Sequence, residues 1–127
     1  MMRRVLILPS VVVGVLVAAA CSGPTGTQPP VAARGQFTMR VDNSMQFATP
    51  TIIVQAGQPL ELTLDNVGGM PHDLSLSDGV AQPIKIEAAG GQMARGTFVI
   101  ERPGTYQFVC NQPAHALAGM RGTIIAQ

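Results

Sequence analysis

The clearest alternation in the chain is PLELTLDN. Leu60, Leu62 and Leu64 fall on one side of an extended backbone, and Glu61, Thr63 and Asp65 on the other. Successive side chains of a strand point to opposite faces, so a period of two predicts a half-buried strand. PIKIE repeats the pattern with Ile84 and Ile86 inward, and TYQFVC puts Tyr106, Phe108 and Cys110 on one face. Further strands are expected over 37–41, 51–55, 73–77, 97–100 and 122–126. Turn residues punctuate them at Gly57, Gly68-Gly69, Gly90-Gly91 and Pro103-Gly104. No stretch holds a helical period for three turns, and no internal repeat is visible. About eight strands at this spacing predict an all-β fold, an antiparallel sandwich.

The first residues break the pattern. Arg3 and Arg4 make a positive start, 5–20 is an apolar run, and Ala18-Ala19-Ala20 leads directly into Cys21. Residues 1–20 read as a secretory signal of the lipoprotein type, with Cys21 as the lipidated residue after cleavage. The run is short for a spanning helix, which needs about 20 apolar residues. Residues 21–35 are Cys21 followed by SGPTGTQPPVAARG, which has no apolar periodicity and the composition of a flexible tether. The folded domain is therefore expected over 36–127, close to the roughly 100 residues of a β-sandwich.

Composition narrows the function. Of 127 residues only 12% are charged, against roughly 25% in an average soluble protein. Removal of Arg3 and Arg4 with the signal leaves six basic and seven acidic side chains. No basic face is available for a nucleic-acid backbone, there is no tryptophan, and other aromatics for base stacking are few. A monomeric, exported protein is expected, held by a lipid anchor to the outer face of the cell membrane or in the periplasm.

The candidate chemistry lies in CNQPAHALAGM, where Cys110, His115 and Met120 recur with four residues between each. Only one other cysteine, Cys21, and one other histidine, His72, exist. With Cys21 acylated, Cys110 has no disulfide partner, and a free thiol in an oxidising compartment is a liability unless a metal occupies it. His72 opens a strand after a Gly-Gly-Met-Pro turn, and a sandwich can bring that turn beside the 110–120 loop. A thiolate, two imidazoles and a weak thioether are the donor set of a trigonal copper site for electron transfer. Copper enzymes need further histidines, and binuclear copper centres need two cysteines in one loop; this chain has neither, so no enzymatic activity is expected.

The stretches FATPTIIVQAGQPLELTLDN, MPHDLSL and PGTYQFVCNQPAHALAGMRGTIIAQ resemble the plastocyanin/azurin-like cupredoxins, and auracyanin-type membrane-tethered members in particular. The resemblance implies an eight-stranded Greek-key sandwich with one type 1 copper at one end. By position, His72, Cys110 and His115 would be the equatorial ligands and Met120 the axial one. Three departures stand out. Ala114 occupies a place where glycine commonly precedes the histidine, Asn111-Gln112 are more polar than usual, and Asp73 stands where many relatives have asparagine. Asp73 either bonds the facing ligand loop or caps a turn. Asn66 ends its strand and shapes the turn after it. The resemblance also implies an apolar docking patch around His115, made of Met70, Pro71, Pro113, Ala114 and Leu117, unless Leu117 packs under its loop. The expected function is single-electron transfer between redox proteins of a respiratory or photosynthetic chain. The alternative is a copper-trafficking lipoprotein that loads an oxidase.

Overall fold

In the computed structural model, residues 28–127 are described; the signal, Cys21 and the start of the tether lie outside them. Nine strands form among the described residues: β1 (Val31–Ala32), β2 (Gln36–Val41), β3 (Thr51–Val54), β4 (Pro59–Asn66), β5 (His72–Leu76), β6 (Ile84–Ala88), β7 (Met93–Val99), β8 (Gly104–Val109) and β9 (Arg121–Ala126). They make two sheets, a six-stranded one in the order β1-β3-β9-β8-β5-β6 and a three-stranded one in the order β2-β4-β7. This is the all-β sandwich expected.

Two expectations need correction. Pairing is mixed rather than antiparallel, since β1 with β3, β2 with β4, and β3 with β9 run parallel. Between β2 and β4 the chain crosses to the other sheet as β3 and returns, so the two strands run the same way. Parallel neighbours need such a crossover, and here a strand supplies it. The second correction concerns the tether. Val31 and Ala32 pair with Ile52 and Ile53, the Ala33 amide donates to the Ile53 carbonyl at 2.8 Å, and Ala33 is buried. A strand of two residues is too short to print a period, so composition alone assigned this piece to the linker.

β7 is also longer than the expected 97–100. Its inward positions are Ala94, Gly96 and Phe98, so two of the three carry almost no side chain. Gly96 is small because Ile86 fills its place: a Cβ there would stand 2.7 Å from Ile86 Cγ1. The inward face is apolar, but part of its apolar bulk comes from β6.

The core lies between the sheets, with Met39, Ile52, Leu62, Leu64, Leu74, Phe108 and Ile124 fully buried. Full burial of such a side chain stabilises the fold by about 1.5–3 kcal/mol. Phe108 meets Phe47 edge-on, with ring centroids 4.9 Å apart, and its ring occupies the space a side chain at Gly122 would need. This packing fixes β8 against β9 in register, with Val109 opposite Arg121. β8 ends and β9 begins at the same end of the sandwich, and the 110–120 loop spans between them.

Candidate metal centre

The 110–120 loop closes on itself through its backbone. The Cys110 amide donates to the Met120 carbonyl at 3.1 Å, and the Met120 amide to the His115 carbonyl at 3.0 Å. Further turns join Gln112 to His115, Ala114 to Ala118, and Ala116 to Gly119. The even spacing read in the sequence is thus a knot of short turns. Ala114 sits at φ 68°, in the left-handed region. Glycine enters that region freely and alanine at a cost of about 1–2 kcal/mol, which gives a physical meaning to the glycine usual at this place.

The upstream segment is held differently. Asn66, at the end of β4, is buried, and its amide donates to the carbonyls of Met70 (2.7 Å), Ala88 and Ala89 (both 3.1 Å). Its Oδ1 accepts from the Gly68 amide at 3.0 Å. The Gly69 amide donates to Asn43 Oδ1 at 2.8 Å, and the Gly91 amide to the Gly68 carbonyl at 2.9 Å. A Cβ at Gly68 would lie 2.6 Å from Asn43, and one at Gly90 2.4 Å from the Gly69 carbonyl, so these approaches require glycine. The turn that delivers His72 is therefore fixed by one buried asparagine and two neighbouring loops. The sequence showed Asn66 as a strand end; its reach across to Ala88 and Ala89 depends on the fold, as does the part played by Asn43.

The two segments meet. Donor atoms of His72, Cys110 and His115 lie within 4.8 Å of one another. Cys110 Sγ is 3.5 Å from His115 Nδ1, and the two imidazole rings are 4.8 Å apart at their centroids. His72, Cys110 and Met120 are wholly buried, and His115 is 7% exposed. Asp73 is buried too, and it bonds the facing loop: Oδ1 accepts from the Asn111 amide (3.0 Å) and from the Ser75 hydroxyl (2.8 Å), and Oδ2 from Gln112 Nε2 (3.4 Å). The Asp73 amide donates to Cys110 Sγ at 3.4 Å.

Both ring nitrogens of His72 are buried, and neither makes a hydrogen bond of good geometry, although the Asp42 carbonyl lies near enough to act on the ring. A buried polar atom without a partner costs free energy, so a histidine left this way calls for something else to satisfy it. Burial lowers the His72 pKa, the facing His115 adds to that, and the Asp42 carbonyl and the Asp42 and Asp73 carboxylates oppose it. Burial pushes the Cys110 thiol up; the Asp73 and Gln112 amides pull against that, while the Asp73 carboxylate reinforces it. Without metal the site therefore favours neutral imidazole and thiol. A soft cation fits these donors: it takes the lone pair of a neutral imidazole and displaces the thiol proton.

Pro71, Pro113 and Ala114 are exposed and Met70 is half-buried. Leu117 is 90% exposed, so it does not pack under its loop.

The family model of copper binding proteins, plastocyanin/azurin family, matches residues 36–127. Among solved structures, auracyanin from Roseiflexus castenholzii superposes with a TM-score of 0.67 at 19% identity, over 75% of this chain and 98% of that one. Auracyanin A from Chloroflexus aurantiacus gives 0.64 at 18% identity, over 78% and 100%. Amicyanin gives 0.52 at 21%, over 75% and 85%. These likenesses are of fold. The copper-resistant cuproprotein CopI of Rubrivivax gelatinosus is 25% identical over 119 residues, covering 79% of this chain and 72% of that protein. A sandwich of the auracyanin kind, with its soft and imidazole donors gathered in one buried cluster at one end, accounts for the match along 36–127: the chain belongs to the plastocyanin/azurin family of copper-binding proteins, the cupredoxins, and its cofactor is one type 1 copper.

Proposed function

We propose that this cupredoxin is a single-electron carrier. The observation that carries the reading is the buried His72–Cys110–His115 cluster, whose donor atoms lie within 4.8 Å of one another. A copper ion held by these residues would supply one-electron redox chemistry. Cys110 would hold it as thiolate, His72 and His115 as neutral imidazoles, and Met120 as a weaker thioether donor. The protein's part is to hold these donors still while the charge changes. His72 is fixed by the Asn66 turn, and Cys110, His115 and Met120 by the closed loop.

His115 is the ligand nearest solvent, and the residues expected to form a patch around it, Met70, Pro71, Pro113, Ala114 and Leu117, carry no charge themselves. A largely apolar face of this kind, with the exposed Arg121 bonded to the Ala116 carbonyl beside it, suits brief contact with a redox partner of a respiratory or photosynthetic chain. The signal-like 1–20 and Cys21 support lipid anchoring at the outer face of a bacterial membrane. The intact mass of the native protein tests that part: the expected chain begins at Cys21 and carries lipid mass.

The electron-transfer reading is tested with the copper-loaded protein. An intense visible charge-transfer band and rapid one-electron exchange are expected; a colourless, folded, copper-loaded protein refutes it. Leu117→Lys should slow exchange with the partner about tenfold while leaving the band unchanged, because Leu117 is exposed and is no ligand.

The relative named as a copper-resistant cuproprotein favours a second reading, in which the protein handles copper itself, as a copper-trafficking lipoprotein delivering it to an oxidase. Metal exchange separates the two. An electron carrier retains copper against a metal-free acceptor protein, whereas a trafficking protein gives it up.

A further inference from the structure

Asp73 is an unusual neighbour for a thiolate. It follows the His72 ligand, its side chain is wholly buried, and its own amide donates to the Cys110 sulfur at 3.4 Å. Its burial has a visible cause. β5 is buried along His72, Asp73 and Leu74, so one face of the strand meets the core and the other lies under Asn111 and Gln112. The carboxylate receives two N–H groups and one hydroxyl: Asn111 N–H at 3.0 Å, Gln112 Nε2–H at 3.4 Å and Ser75 O–H at 2.8 Å. An ionised carboxylate is an acceptor only, and this is the environment that suits it.

Clamping the two ligand segments together does not require a charge. An asparagine oxygen at the same place would accept from Asn111 and Ser75 equally well. Burying an anion without a cation beside it costs more than burying an amide. The nearest cation on this strand pair, Lys85, is exposed and paired with Glu87. The buried charge is therefore only partly offset, and it lies beside a centre whose own charge changes.

We propose that Asp73 sets the reduction potential of the copper centre, its fixed negative charge favouring the oxidised state, in addition to joining the His72 strand to the Cys110 loop. Oxidation removes one electron from the thiolate-bound centre to a redox partner, raises the centre's charge by one, and makes or breaks no bond in the protein. An anion held close in a poorly solvated place stabilises the more positive of the two states. Asp73 is thus a positioning and field-setting residue, and the two roles separate by substitution.

This inference rests on the electron-carrier reading, and the test distinguishes the two. Reduction potentials of the copper-loaded full chain are measured by redox titration of the visible band for wild type, Asp73→Asn and Ser75→Ala. Asp73→Asn keeps the Oδ1 acceptor for Asn111 and Ser75, gives up the long Gln112 contact and removes the charge. The ratio of reduced to oxidised protein at a fixed applied potential should rise about tenfold, a shift of about 59 mV for one electron. Ser75→Ala removes a donor and leaves the charge less neutralised, so its ratio should fall, by about two- to threefold. Opposite signs are the signature of charge; loosening of the clamp would move both variants the same way. An unchanged potential in Asp73→Asn, or shifts of one sign in both, overturns the proposal. Should Asp73→Asn fail to hold copper, Ser75→Ala decides alone: a fall supports the charge, and a rise or no change overturns it. A wild-type protein without the band overturns the electron-carrier reading and this proposal with it.

Discussion

The two segments that build the centre are made in opposite ways. The 110–120 loop supplies three of the candidate ligands from one stretch of chain and ties itself together with its own short backbone bonds. The 66–72 segment supplies one, His72, and depends on distant residues for its shape: Asn43 from one loop, and Ala88 to Gly91 from another. The first is a local device and the second a tertiary one. One ligand is consequently set in the frame of the sandwich, while the others travel as a unit that the frame receives. Asp73 joins the two through Asn111 and Gln112.

Substitutions in the two segments should therefore fail differently. The largest effect is expected at the ligand they share as a focus. Cys110→Ser exchanges the soft thiolate for a hard hydroxyl, and the visible band should vanish although the sandwich still folds; absorption and circular dichroism check both halves of the claim. A retained band would move the thiolate role away from Cys110.

Next come the two histidines. His115 is 7% exposed and His72 wholly buried. In His115→Gly the lost ligand leaves a hole near solvent, so added free imidazole should restore most of the band. In His72→Gly the hole lies behind the Asn66 turn, and the same imidazole concentration should restore at least about tenfold less. Equal rescue would show that the upstream segment is as open as the loop.

A smaller effect, on stability rather than on the metal, is expected at Asn66. Asn66→Ala removes the bonds to Met70, Ala88, Ala89 and Gly68, of which the one to the Ala88 carbonyl is buried. A loss of about 3 kcal/mol in denaturant unfolding of the metal-free protein follows, at the upper end for a buried polar network. A loss under about 1 kcal/mol would mean that the turn does not depend on its asparagine.

The smallest expected effect, and the one opposite in sign, is in the loop. Ala114→Gly relieves a left-handed alanine, and after the extra freedom glycine gains in the unfolded chain about 0.5–1 kcal/mol of stabilisation should remain. Unfolding of the metal-free variant measures it; destabilisation would mean that the Ala114 methyl group packs productively.

This contrast also explains what could be read from the chain. Strands such as β4 were legible because one face is leucine and the other polar, and a period of two survives translation into letters. Cys110, His115 and Met120 were legible because a local loop keeps its ligands at fixed intervals in sequence. β7 was only half legible, because Ile86 of another strand fills the space over Gly96. β1 was not, because two residues cannot show a period. The parallel pairings were hidden for a related reason: direction depends on how often the chain changes sheets, and no residue records that.

For this protein the sequence by itself determined the class of fold, the donor set and the metal those donors suit, since all three follow from residue type and short-range spacing. The tertiary structure decided that His72 stands within reach of Cys110 and His115, and that the buried Asp73 side chain bonds Asn111 and Gln112. Those facts arise from contacts between residues far apart in the chain. The hydrogen bonds and the burial that give Asp73 its place exist only once β5 is covered by the loop that follows β8.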